Sequence, residues 1–251
     1  MAINLAHSGT ASNGAVIHRP WPVIVGGALA RGTRARGAFI PSEDFRSLDE
    51  VGTTVTFARN ETIFNEGDGA KYAYRLVSGA VRLCKLMADG RRQITDFYLD
   101  GEMFGFLDLD NYDFSAEAIT KVVLVRYPRS HVRRIEDEDD AFRREMTSML
   151  HQRLSRTHAL LVMLGRQTVK ERIASFLIQM AERLDGVAED SASIDLPMGR
   201  QDIADYLGLT IETVCRALSE LKRAGVIAVP TTHQIVVNDI ETLRAIIDGD
   251  N

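Results

Sequence analysis

Glu212 and Arg216 stand four residues apart in a stretch whose apolar positions recur with helical spacing, so both side chains fall on one helix face. An arginine can donate two hydrogen bonds to guanine O6 and N7, and a carboxylate can accept one from cytosine N4. The pair can therefore read a G·C base pair. The same spacing also suits an exposed intrahelical ion pair, contributing only about 0.2–0.5 kcal/mol. Thr213 and Cys215 lie beside them, which makes Glu212, Thr213, Cys215 and Arg216 the candidate base-reading set. Arg200, Gln201, Thr210, Ser219 and Lys222 are the candidate contacts to the DNA backbone. Cys215 has two readings: an exposed thiol that cationic neighbours such as Arg216 and Lys222 turn toward thiolate and oxidation, or a half-buried filler beside Leu218.

These side chains need a scaffold that presents one helix and steadies it with another. Between Gly199 and Lys222, the residues Ile203, Leu207, Val214, Leu218 and Leu221 form an apolar face. Ala204 is small where two helices must approach, Gly208 supplies a turn, and Thr210 can cap the following helix. That is a helix-turn-helix. Val226 to Val229 and Ile235 to Val237, joined by Pro230 to Gln234, add a hairpin wing, and Ile240 to Ile247 add a closing amphipathic helix. Upstream, Val169 opens a helix with Ile173, Phe176, Leu177 and Met180 at core spacing, followed by a polar loop from Gly186 to Ser193.

A long helix is expected to start at the charged run Glu136-Asp137-Glu138-Asp139-Asp140, whose carboxylates suit the positive end of a helix dipole. Along it Thr147, Leu150, Leu154, Thr157, Leu161 and Leu164 alternate spacings of three and four. This stripe can pack on the domain before it. Its narrowness, flanked by Arg153, Arg156 and His158, suits a two-helix seam between subunits, with Leu150, Leu154, Thr157, Leu161 and Leu164 as the seam residues.

From Val51 to Pro128 the period changes to short apolar alternations: Val55 to Phe57, Ile63-Phe64, Tyr72 to Val77, Val81 to Leu86, Ile94 to Tyr98 and Val122 to Tyr127. Turn signals such as Ser78-Gly79 and Ala88-Asp89-Gly90 separate them, which predicts an antiparallel β-roll. The first 40 residues, rich in Gly, Ala, Ser and Thr, read as a flexible tail. The expected organisation is α+β: tail 1–40, β-roll 41–135, dimerisation helix 136–165 and winged helix-turn-helix 166–251.

Bulk composition narrows the classes. With 251 residues, 45% hydrophobic and 26% charged, the chain can build two ordinary cores. A net charge of −5 means that any nucleic-acid site must be a local concentration of basic residues. Cys84 and Cys215 are the only cysteines and neither lies in a metal-ligand spacing, so no disulfide framework or structural zinc is expected and a cytoplasmic location fits. The apolar run Trp21 to Ala30 is too short for a membrane span and lacks the basic start of a secretion signal. None of the six histidines falls within residues 51–130, which removes the imidazole set that a metalloenzyme built on such a roll would need. No enzyme activity, metal or cofactor is expected.

The order β-roll, long helix, helix-turn-helix, wing resembles the CRP/FNR superfamily of bacterial transcription regulators. Glu212-Thr213-Val214-Cys215-Arg216 is similar to the E-x-x-S-R recognition motif of its FNR and FixK branch, with Cys215 in the serine place. The turn from Glu61 to Gly69, Ser78-Gly79-Ala80-Val81, and Asp89 to Ile94 are similar to the family's roll. The resemblance implies a homodimer on a palindromic duplex with TTGA-like half-sites, and activation through RNA polymerase. It also exposes departures. Gly101-Glu102-Met103-Phe104-Gly105 looks like the start of a cyclic-nucleotide phosphate cassette, but Phe114-Ser115-Ala116 replaces its arginine step, and a buried phosphate would lack its charge partner. No cysteine precedes Cys84, so the N-terminal iron–sulfur cluster of the oxygen-sensing relatives has no ligands. The alternative within the same fold is an unidentified small-molecule effector in the roll, or a haem drawing on residues such as His131, His151 and His158.

Overall fold

The computed structural model describes residue 48 and residues 51–106, 110–184 and 192–249. The expected tail, and the apolar run from Trp21 to Ala30, lie outside the described residues, as does most of the polar loop that follows Leu184.

Eight short strands form the roll: β1 (Thr53–Phe57), β2 (Thr62–Phe64), β3 (Tyr72–Ser78), β4 (Val81–Leu86), β5 (Arg92–Tyr98), β6 (Met103–Phe104), β7 (Ser115–Ala118) and β8 (Val122–Pro128). They pair antiparallel in two sheets, ordered β1-β8-β3-β6 and β2-β7-β4-β5. The turn between β3 and β4 depends on Gly79, at φ 103°, where a Cβ would sit 2.6 Å from the Lys121 carbonyl oxygen. Strand β6 escapes the alternation rule because two residues are too short to repeat it, whereas β7 alternates in burial but places only the small Ala116 and Ala118 inward.

The inward faces of both sheets meet in a core with a large aromatic share. Phe64 stacks on Tyr112 at 3.7 Å between ring centroids, and Phe104 touches Tyr74 at 5.3 Å and Tyr98 at 5.0 Å. Leu76, Val81, Leu83, Ala116, Ala118, Val122 and Leu124 complete it.

The charged run does not open the long helix. Glu136 to Glu138 end a separate helix, α1 (Arg129–Glu138), and α2 (Asp140–Arg166) begins two residues later. Asp139 is extended between them, and its carboxylate accepts from the amides of Ala141 and Phe142, so the run's fourth residue acts as an N-cap. Helix α2 carries two apolar stripes. Phe142, Met146 and Met149 bury themselves against Ala73, Met103 and Tyr127 of the roll, while Leu160 and Met163 join the core of the C-terminal domain. The stripe read from the sequence is offset by one residue and faces outward: Leu154 is 52% exposed and Leu161 69%. Leu164 departs from it, half-buried against the C-terminal core.

After α3 (Val169–Leu184) comes β9 (Ala192–Asp195), where a loop reaching Ser193 was expected. Its Ala192 and Ile194 are buried, and it adds a third strand to the wing in the order β10-β11-β9, with β10 (Ile227–Ala228) and β11 (Gln234–Val237). Helices α4 (Arg200–Leu207), α5 (Ile211–Arg223) and α6 (Ile240–Asp248) complete the domain. Arg172 staples its entry by donating to the carbonyls of Leu164, Gln167 and Leu207, satisfying the ends of two helices at once. No helix among the described residues is long and apolar enough to cross a membrane.

Candidate nucleic-acid interface

Helix α4 starts at Gly199, whose amide donates to the Asp202 carboxylate (3.2 Å), and stops at Gly208, a left-handed C-cap at φ 63°. Thr210 then caps α5 through its hydroxyl, which accepts from the Thr213 amide (3.3 Å). Val214, Ala217, Leu218 and Leu221 turn inward and leave one polar face of α5 in solvent.

That face carries Glu212, Cys215, Arg216, Ser219, Lys222 and Arg223, all exposed, with Thr213 half-buried at its edge. Among the described residues no ion pair joins Glu212 to Arg216. Glu212's own backbone amide and the Thr210 hydroxyl hold its carboxyl below the usual range, so it is ionised at neutral pH. Glu212 is thus engaged only by its own helix start, and neither side chain is taken up by an ion pair among the described residues. Cys215 is exposed, whereas Cys84 is buried in the roll, where burial pushes its thiol up to about 11.

The candidate backbone contacts differ in freedom. Arg200, at the first turn of α4, is half-buried close to Cys215, and its Nη1 is shielded from solvent without a protein acceptor. Gln201 is exposed but donates to Asp205 (2.7 Å). The Ser219 hydroxyl donates to the Cys215 carbonyl (2.8 Å), a local bond that leaves only its lone pairs free. Thr210 is used as a cap, and Lys222 is exposed.

In the segment that looks like a cyclic-nucleotide cassette, the acidic residue is already engaged within the protein. Glu102 is buried with both carboxylate oxygens engaged: Oε1 by Arg156 (2.8 Å), and Oε2 by Arg183 (2.9 Å) and the Leu99 amide (2.9 Å). Burial disfavours its charge, but Arg183 and Arg156 outweigh it and hold its carboxyl below the usual range. Where an arginine would meet the phosphate, the Ser115 hydroxyl accepts from the Glu66 amide and Ala116 is fully buried. Sequence spacing could not reveal Arg156 or Arg183 as partners of Glu102, because they lie 54 and 81 residues away. Among the described residues, no group of three or more His, Cys, Asp or Glu side chains is placed to hold a metal ion.

Residues 54–139 match the model of the cyclic nucleotide-binding domain, and residues 171–246 match the Crp-like helix-turn-helix domain. The chain is 41% identical over 217 residues to the nitrogen fixation regulation protein FixK of Azorhizobium caulinodans, covering 86% of each. Among solved structures, FixK2 from Bradyrhizobium japonicum superposes with a TM-score of 0.73 at 37% identity, over 78% of this chain and 97% of that one. A CRP-family regulator from Thermus thermophilus follows at a TM-score of 0.63 and 27% identity, over 77% of this chain and 96% of that one. These relatives are transcription regulators, not enzymes. With both domains matched in order and FixK identity near two-fifths along most of its length, the chain belongs to the CRP/FNR family of transcription regulators, among its FixK-like members.

Proposed function

We propose that this protein is a FixK-like activator that binds a palindromic duplex as a homodimer in the cytoplasm and recruits RNA polymerase. One observation carries the reading: the polar face of α5 holds an ionised, unpaired Glu212 and a free Arg216 side by side in solvent. In this reading Glu212, Thr213, Cys215 and Arg216 read bases, and Arg200, Gln201, Thr210, Ser219 and Lys222 hold the phosphates.

Twofold symmetry comes from α2. Its outward stripe of Leu150, Leu154, Thr157 and Leu161 is not needed by the protein's own roll, which is served by the other stripe, and a second copy of α2 is the occupant that also explains a palindrome. The committed Glu102 and the ring-filled roll support control without a cyclic nucleotide, and the want of an N-terminal cysteine set supports independence from an iron–sulfur cluster.

The test is selection of bound duplexes from a random pool. Inverted TTGA-like half-sites about one helical turn apart are expected. Replacing both Leu154 and Leu161 with Glu should yield monomers that no longer distinguish the selected palindrome from a scrambled duplex. Recovery of unrelated or asymmetric sequences, or a variant that still scatters light as a dimer, would overturn the reading.

A further inference from the structure

The covalent link between the roll-bearing helix and the DNA-reading domain is short. Only Gln167, extended at φ −81° and ψ 143°, and Thr168 separate α2 from α3. Beside the Arg172 staple and the Arg183–Glu102 pair, a set of contacts between the β4–β5 hairpin and α4 fixes the orientation of the two parts. Arg82 on β4 donates from Nε to Glu117 (2.8 Å) and from Nη1 to Asp202 (3.0 Å), a partner 120 residues away. Arg92 on β5 donates from Nε to Asp205 (2.8 Å) and from Nη2 to the same Asp202 oxygen (3.0 Å), with Nη1 3.4 Å from Glu117. Gln93 adds a bond from its amide nitrogen to the Tyr206 carbonyl, and Phe97 meets the Tyr206 ring at 5.1 Å.

Two guanidinium forks therefore meet two carboxylates across a largely buried seam, with Glu117 bracing both forks from the roll side. Planar forks hold orientation as well as contact, and a paired buried charge resists sliding because any displacement leaves it unpaired. Asp202 and Asp205 are three apart on α4 and meet the roll, while Arg200 on the same helix lies close to Cys215 of α5. The docked arrangement leaves the polar face of α5 uncovered, so it is a DNA-accessible arrangement and not an autoinhibited one.

We infer that Arg82 and Arg92 are positioning residues for operator recognition: they preorganise the helix-turn-helix against the roll so that two recognition helices meet successive major grooves together, without touching DNA themselves. This rests on the dimeric DNA-binding reading above. A domain docked less firmly on the roll has more orientational freedom to lose on engaging two half-sites and loses affinity accordingly. Engaging one half-site demands no such alignment. The penalty therefore falls on the palindrome alone.

The experiment uses the full chain with Arg92→Gln, Asp205→Asn and both together, the outer, more exposed members of the seam. Three duplexes serve as probes: an inverted TTGA pair one helical turn apart, the same duplex with one half-site scrambled, and a fully scrambled one. Palindrome affinity should fall by about threefold to thirtyfold in each single variant, a coupling of ordinary size, and the double variant should be no weaker than the worse single. Half-site affinity should stay within about twofold. Amide exchange should quicken in β5 and α4, and Arg92→Lys, which keeps charge without the fork, should fall between. Should Arg92→Gln fail to fold, Asp205→Asn poses the same question from the other side of the seam. Equal losses on palindrome and half-site would mark a folding role, and unchanged palindrome affinity with quickened exchange would show that orientation does not matter; either overturns the inference. Native protein that binds all three duplexes alike defeats the DNA-reading proposal instead, and does so before any variant is compared.

Discussion

Arginines in two regions of the molecule are used in opposite ways. At the seam between the roll and the helices, Arg82, Arg156 and Arg183 are buried or nearly so, and carboxylates stand within hydrogen-bond distance of each. On α5, Arg216, Lys222 and Arg223 are exposed, and among the described residues no carboxylate lies within ion-pair distance of them. A charge taken out of water is tolerated only with a partner, so the seam's charges fix geometry. A charge left in water without a partner costs little and stays available to a polyanion.

The contrast is most easily broken at Arg183. Its removal takes from the buried Glu102 carboxylate one of its two guanidinium partners and from the Phe97 carbonyl a donor, so Arg183→Ala should lower unfolding free energy by about 3–5 kcal/mol in urea titrations. A loss near that of a surface substitution would mean that the seam is wet and the two regions do not differ.

Arg216→Ala should show the reverse pattern. Stability should hold to within about 0.5 kcal/mol, while operator binding weakens by about 1–3 kcal/mol with preference relaxed at one half-site position. Uniform weakening on every sequence with a shallower salt dependence would instead make Arg216 a phosphate contact.

Thr210 joins the two behaviours, since it caps α5 and lies at the edge of the reading face. Thr210→Ala should cost about 1 kcal/mol of stability through the lost cap. Operator affinity should drop beyond what that explains if the hydroxyl also meets a phosphate, and Thr210→Ser should restore both.

The smallest expected effect separates the two cysteines. The exposed Cys215 should react with iodoacetamide in the folded protein and the buried Cys84 should not. Mild peroxide should weaken operator binding of the native protein and of Cys84→Ser, but not of Cys215→Ser. Equal loss in the native and Cys215→Ser proteins would remove Cys215 as a redox-sensitive point.

How far each element was readable follows from the range of its cause. Alternation marked β3, β4, β5 and β8, because each is long enough to show a period of two, and the two-residue β6 was invisible for want of length. The carboxylates from Glu136 to Asp140 were read as one helix start, yet a single extended residue, Asp139, divides them between two helices. Strand β9 looked polar because half of a wing-edge strand faces water.

By itself the sequence determined the helix-turn-helix, since Ala204, Gly208, the Thr210 cap and the apolar spacing of α5 act within a few residues of one another, where backbone sterics and helical period suffice. It also determined which side chains of α5 are barred from the core, and so which could meet a base. Only the tertiary structure decided which of two adjacent stripes on α2 is covered by the protein itself, that Glu102 is held by Arg156 and Arg183, and that Arg82 and Arg92 reach Asp202 and Asp205. A short-range period says that a face is apolar or charged. It cannot say what covers that face, because the partner is chosen by packing across roughly a hundred residues, where burial makes each pairing decisive and spacing carries no record of it.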